Sequence, residues 1–208
     1  GPGKTTVAVH LALAAHRRGL KTLLAVTDPQ GSSLEVLKAR QTPGPDCVGA
    51  VGAELAARQQ AAMACGVEAM IVDTPAGSEA EIAHAIALAH LSLLVIRPTF
   101  LDIAASIQTA QILRRLRKPG LILLNQAPVA RGGVEPPAVK KALEALRLMR
   151  LPVVPVVLRS RAVYQTALAS GQSAEEAVFP GPAAEEIAAC WSFIERFAFG
   201  EPRQAQTG

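Results

Sequence analysis

The sequence predicts an α/β fold, a doubly wound, mostly parallel sheet with helices on both faces. Short, continuously apolar runs alternate with longer Ala-rich stretches of helical period, and the runs lack the apolar/polar alternation of half-exposed strands. The 208 residues are 50% hydrophobic and 18% charged, which excludes a disordered chain and supplies apolar material for one buried core. No apolar run approaches the roughly twenty residues of a membrane-spanning helix, so the runs read as buried strands.

Taken in order, a helix is expected over residues 4–18, followed by a strand over 22–27 (TLLAVT). A helix over 50–65 precedes the strand 69–74 (AMIVDT), and a helix over 79–89 precedes the strand 91–98 (LSLLVIRP). The helix 102–117 leads into the strand 120–125 (GLILLN), and the helix 137–150 into the strand 153–158 (VVPVVL). A final helix is expected over 183–199. Crossovers of this length make right-handed βαβ units, with ligands at the carboxyl ends of the strands. Residues 1–200 are expected to form one domain and residues 201–208 (EPRQAQTG) a flexible tail.

Composition narrows the function. Aromatic residues make up only 3% of the chain, against the base-stacking surfaces of single-strand nucleic-acid modules. Cys47, Cys65 and Cys190 lie far apart with no CxxC or Cys/His spacing for zinc or an iron–sulfur cluster, so a reduced, cytoplasmic protein is expected. A net charge of +4 permits a polyanionic partner without requiring one.

The chemistry is concentrated in three places. GPGKTT puts Gly1, Pro2, Gly3, Lys4, Thr5 and Thr6 at the start of a helix. Glycines let backbone N–H groups approach phosphate oxygens, the helix N-terminus adds positive potential, Lys4 reaches the β- and γ-phosphates, and Thr5 can ligate Mg²⁺. The bland alternative is a Gly-rich turn before an ordinary helix. Asp73 ends the strand of MIVDTPAG, where a carboxylate can hold Mg²⁺ through water or cap the next helix; its place after Lys4 favours the metal. Asp28, in TDPQGSS, ends the strand before it and can position an attacking water with help from Gln30, although Asp, Pro and Gly also make a plain β-turn.

The ordered set GPGKTT, TDPQGSS, IVDTPAG, RPTFLDIAASIQTAQILR, LILLNQAP and VVLRSRAVYQTALASG resembles the ParA/Soj/MinD group of deviant Walker-A ATPases, most closely the ParA-like partition proteins. It spans Gly1 to Gly171. The resemblance implies a P-loop domain that binds ATP and Mg²⁺, dimerises around the nucleotide, binds DNA without sequence preference, and hydrolyses slowly until a ParB-like partner stimulates it. It implies plasmid or chromosome partition in the cytoplasm, at the nucleoid. By position, Lys4 corresponds to the P-loop lysine, Thr5 to the Mg²⁺ ligand and Thr6 to an α-phosphate contact. Asp28 corresponds to the acid that positions water and Asp73 to the Walker-B acid. Asn125 corresponds to the adenine contact, against the alternative of an Asn that merely closes a strand. Arg161 becomes a candidate DNA contact.

Two departures qualify the likeness. The family loop reads K-G-G-x-G-K-T-T, and its first lysine would lie two residues before Gly1. GPGKTT therefore reads as the middle of a loop whose feeding strand, the first of the fold, is expected upstream, and a competent sandwich dimer is not expected without that lysine. Val26 stands where an acid often precedes Asp28 by two residues, which leaves a nucleotide-binding adaptor with little turnover open.

The basic groups Arg114, Arg115, Arg117 and Lys118, then Lys140, Lys141, Arg147 and Arg150, then Arg159 and Arg161, read either as solvated helix ends or as a phosphate-tracking face. The final helix carries Ile187, Trp191 and Ile194 on one stripe, with Glu185, Glu186 and Glu195 outnumbering its basic residues. It is expected to pack on the sheet, and no membrane anchor is evident. Two other classes stay in view: positioning of a protein cargo, and a metabolic ATP-dependent ligase, which needs an organic-acid pocket. A nitrogenase-reductase-like electron donor is disfavoured by the cysteine spacing.

Overall fold

Four continuously apolar segments become parallel strands, and the computed structural model, which describes residues 1–200, sets them with a fifth, less apolar strand in two ladders. The expected tail, 201–208, lies outside the described residues. The chain begins in the phosphate loop and enters α1 (Lys4–Arg17). Then follow β1 (Thr22–Val26), α2 (Ser32–Lys38), β2 (Asp46–Gly49), a 3₁₀ turn at Gly52–Glu54, α3 (Leu55–Ala64) and β3 (Ala69–Asp73). Next come α4 (Glu79–Leu88), β4 (Ser92–Ile96), α5 (Phe100–Leu116), β5 (Gly120–Leu124) and α6 (Pro137–Arg147). The short helices α7 (Val163–Thr166) and α8 (Ala174–Ala177) precede the long α9 (Pro182–Phe199).

In the first ladder β1 is central, parallel to both neighbours, with Val26 opposite Gly49 of β2 and Asp73 of β3. In the second, β4 and β5 run parallel, Ile96 opposite Leu124. Among the described residues β3 and β4 each pair on one side only, and they are partly exposed, whereas β5 is buried throughout. The expected mostly parallel α/β architecture is present, its five strands divided between two ladders that packing joins. Helix α1 makes the joint: Val7, Leu11, Ala14 and Ala15 share one cluster with Ile71 of β3, Leu93 and Val95 of β4, and Leu121 and Leu123 of β5. Its run from Val7 to Ala15 is buried on every side, as its small apolar residues allow. Helix α6 behaves oppositely: Val139, Ala142 and Leu146 form a narrow buried stripe, and the charged residues face water.

The strand expected over 153–158 is instead an extended segment joined by isolated bridges, Ile122 of β5 with Val153 and, just past both, Ala127 with Arg159. Val154 N donates to Ile122 O and Leu158 N to Leu124 O, so two steps along β5 face four along the segment. Pro155 sits in that slack; proline has no N–H to continue a ladder.

On the far side, Arg40, just past α2, donates to both carboxylate oxygens of Glu176 in α8 (2.6 and 3.0 Å) and to Gly171 O (2.8 Å). Burial opposes the Glu176 charge, but the Arg40 pair and the Ser173 N–H hold its carboxyl below the usual range. Helix α9 buries Ile187, Trp191 and Ile194 in the α1 cluster, as its stripe predicts. Among the described residues no helix is long and apolar enough to cross a membrane.

Candidate functional site

The candidate residues meet at the carboxyl ends of the strands, where a doubly wound sheet places ligands. Gly3 starts α1 in a left-handed conformation, φ +87°, a region open to glycine at little cost. No side chain caps this helix and its first turn holds no acid, so its leading amides are free for an anion. Lys4, Thr5 and Thr6 are the first three residues of that turn.

Asp73 is the hub. It is 2% exposed and stands at the carboxyl end of β3. Its Oδ1 accepts from Thr5 Oγ1 at 3.3 Å and its Oδ2 from Ser33 Oγ at 2.5 Å. Burial pushes its carboxyl above the ordinary range; the Ser33 and Thr5 bonds pull the other way, Asp28 adds to the rise and Lys4 opposes it. A carboxylate so placed, with few bonds to offset its desolvation, gains most from a cation beside it.

Asp28 lies just past the pairing of Val26 with Asp73 that ends this ladder. Thr27 N and Oγ1 both donate to Asp73 O, fixing the end of β1 against β3. Asp28 then opens a turn closed by Gly31 N to Asp28 O at 3.0 Å, and its own Oδ1 accepts from Gln30 N at 2.9 Å. The turn reading of DPQG is therefore realised, and it delivers the acid beside the hub. Ser33, buried in the first turn of α2, is the residue that sequence reasoning missed: a serine among turn formers gives no hint of a partner forty residues away.

Asn125 follows β5, is 5% exposed, and donates from Nδ2 to Pro2 O at 2.7 Å. It thereby ties the second ladder to the phosphate loop. The Asn125 and Gln126 amides crowd Gly3 so closely that a Cβ there would lie 2.6 and 2.9 Å from their nitrogens. Arg161 is not gathered into the site. Its guanidinium donates twice to Glu186 Oε1, at 2.7 and 3.0 Å, on the α9 side of the molecule.

The cradle fits a magnesium nucleotide on its own chemistry: open helix amides, a glycine with no room for a side chain, and a hydroxyl beside a buried acid. Magnesium takes one or two protein oxygens and keeps its waters, and the Thr5 hydroxyl beside the Asp73 carboxylate offers such a pair.

Fold and site together define a phosphate-loop nucleotide-binding domain of the α/β class. Residues 1–173 match the CobQ/CobB/MinD/ParA nucleotide binding domain (CbiA), and the chain belongs to that family. Among solved structures it resembles the septum site-determining protein MinD of Pyrococcus horikoshii complexed with Mg-ADP, at 19% identity and TM-score 0.74 over 96% of this chain and 93% of that one. It resembles to the same degree the ATP complex of a single-residue variant of McdA from Cyanothece, at 19% identity and TM-score 0.75 over 99% and 95% of the two chains. A ParA family ATPase of Chlorobium tepidum follows at 15% identity and TM-score 0.69 over 93% of each. No curated protein sequence matches the chain.

Proposed function

We propose that the protein is an ATP- and Mg²⁺-dependent switch of the ParA type, which dimerises with ATP, binds DNA without sequence preference and drives its partition. The observation that carries this reading is the sharing of Asp73 between Thr5 and Ser33. One buried carboxylate joins the phosphate loop to the helix that follows Asp28, so occupancy of the loop bears directly on α2.

The residues divide the work. The backbone of Gly1–Gly3 and the amides of α1 would receive phosphate oxygens, Lys4 the β- and γ-phosphates, and Thr6 the α-phosphate. Thr5 and Asp73 would hold Mg²⁺, which when bound neutralises charge on the β- and γ-phosphates. Asp28 would orient the attacking water and accept its proton at a carboxylate oxygen. Asn125, its Nδ2 held by Pro2, keeps Oδ1 as the acceptor for an adenine amino group. Turnover is slow until a ParB-like protein stimulates it.

The DNA surface draws support from placement. Arg115, Arg159 and Arg161 are paired with Glu79, Glu135 and Glu186. Arg114 and Arg117 at the end of α5, and Arg147 and Arg150 at the end of α6, are exposed and form no ion pair among the described residues. Helix α5 runs into β5, and α6 into the extended segment beside it, so these four arginines lie at the amino ends of β5 and of that segment. This is the preferred phosphate-tracking face, with Arg161 a secondary contact that must first leave Glu186.

A ligase gains less support from the cleft lining. The cleft beside Asp73, between Leu55 and α4, is lined by Thr27, Pro75, Ile82 and His84 among others, with no Arg or Lys to bind an organic acid. An electron donor gains none: burial pushes the Cys47 and Cys190 thiols up to about 11 and about 12, and no cysteines pair.

The test is binding of the protein carrying the complete K-G-G-x-G-K-T-T loop to non-specific duplex DNA with ATP·Mg²⁺, ADP·Mg²⁺ or no nucleotide, across a salt series, alongside Lys4→Ala and the double change Arg147→Glu, Arg150→Glu. Binding only with ATP, steeply weakened by salt, abolished in Lys4→Ala and reduced in the double variant is expected. DNA affinity indifferent to nucleotide would overturn the partition reading and move protein-cargo positioning to the front.

A further inference from the structure

Helix α7 carries one side chain that reaches out of its own element to the phosphate loop. Gln165 Nε2 donates to Thr6 Oγ1 at 3.2 Å. The Thr6 carbonyl in turn accepts from His10 Nδ1 at 2.8 Å, so its carbonyl and its hydroxyl are both engaged by residues outside the loop.

The mount of Gln165 is fixed by its neighbour. Tyr164 is buried, its hydroxyl donates to Glu186 Oε2 at 2.6 Å, and its ring meets the His10 ring edge-on at 5.3 Å. Glu186 also accepts from Arg161 and from Arg159 N. These bonds clamp α7 between α9 and α1 and leave Gln165 at the exposed surface, facing only the loop hydroxyl among its described partners.

A threonine hydroxyl has one proton to give and two lone pairs to receive. An amide N–H occupying a lone pair leaves the proton for a different acceptor, and at this point of the loop that acceptor is a phosphate oxygen. We propose that Gln165 is a positioning residue for nucleotide binding, orienting the Thr6 hydroxyl to donate to phosphate. The inference rests on the reading of Thr6 as a phosphate contact, and adds a residue 159 positions further along the chain.

The test is a fluorescence titration of the protein with ATP·Mg²⁺. Gln165→Ala weakens binding about three- to tenfold, the worth of one hydrogen bond, and leaves the nucleotide-free melting temperature unchanged. In a Thr6→Ala background Gln165→Ala has no further effect; in Thr6→Ser, which keeps the hydroxyl, its full effect returns. Gln165→Glu, an acceptor that draws the Thr6 proton to itself, binds more weakly than Gln165→Ala. Unchanged affinity in Gln165→Ala, or an undiminished loss in the Thr6→Ala background, would overturn the inference while leaving the function intact. Failure of the unaltered protein to bind ATP would remove both.

Discussion

Gly3→Ala tests the geometry of the phosphate loop most sharply. Gly3 holds φ +87°, and an L-residue in the left-handed region costs about 1–2 kcal/mol. The new methyl carbon would lie 2.6 Å from Asn125 Nδ2, and Asn125 is buried with that nitrogen on Pro2 O. Displacing it breaks the bond and strands a buried donor, a further loss of about 1–3 kcal/mol. The total is roughly 2–5 kcal/mol, read as a shift of the urea unfolding midpoint at constant slope. A double-mutant cycle separates the two parts. In an Asn125→Ala background the methyl group meets only the Gln126 amide, at 2.9 Å on a half-buried side chain free to shift, so Gly3→Ala should cost little more than the backbone share, about 1–2 kcal/mol. A Gly3→Ala protein within about 0.5 kcal/mol of the original would refute the left-handed loop, and equal costs in both backgrounds would refute the Asn125 contact.

Other perturbations follow from the same contacts. Arg40→Ala removes the guanidinium, 6% exposed at its side chain, from Glu176 and should destabilise by about 3–5 kcal/mol in chemical denaturation, whereas Arg40→Met combined with Glu176→Leu should cost much less. Glu176 and Glu135 are held below their ordinary value of 4.5, so their contribution is full above about pH 4.5 and is lost as pH falls through their lower folded values; a stability–pH curve should drop there, less steeply in Glu176→Gln. Asp73 is shifted upward by burial, so its charge opposes folding at neutral pH: Asp73→Asn should raise the melting temperature of the nucleotide-free protein while reducing Mg²⁺-dependent nucleotide binding at least about tenfold. Calorimetry and a Mg²⁺ titration read those opposite signs separately.

What the sequence made legible followed from local pattern. Strands β1, β3, β4 and β5 lie within a residue or two of the expected runs because buried parallel strands are written as unbroken apolar stretches. Strand β2, only Asp46–Gly49 at a ladder's edge and opening on an aspartate, carries no such run. Helix α2 was hidden because Asp-Pro-Gln-Gly-Ser-Ser is dominated by turn formers. The extended segment at 153–158 shows the reverse: its apolarity is right for burial, yet proline withholds the hydrogen bonds of a regular strand. In the candidate site, the loop, Asp28 and Asp73 could be picked out as neighbours because each stands at the end of a strand or the start of a helix on the same side of the sheet. Ser33, Gln165 and the link from Asn125 to Pro2 could not, since each is a contact between distant residues that only the tertiary fold brings together. Arg161 reads from the sequence as a candidate DNA contact, and Glu186 twenty-five residues on holds it.

The segment beside β5 bears on how the molecule behaves in a crowd. A regular strand in that position would offer passing chains a complete row of amide donors and carbonyl acceptors, the template on which sheets grow into aggregates. Pro152 and Pro155 leave gaps in the donor row, and the slack between Val154 and Leu158 breaks the even spacing that an incoming strand must match. The apolar side chains remain available to the core, while the rim of the sheet is a poor surface for uncontrolled growth.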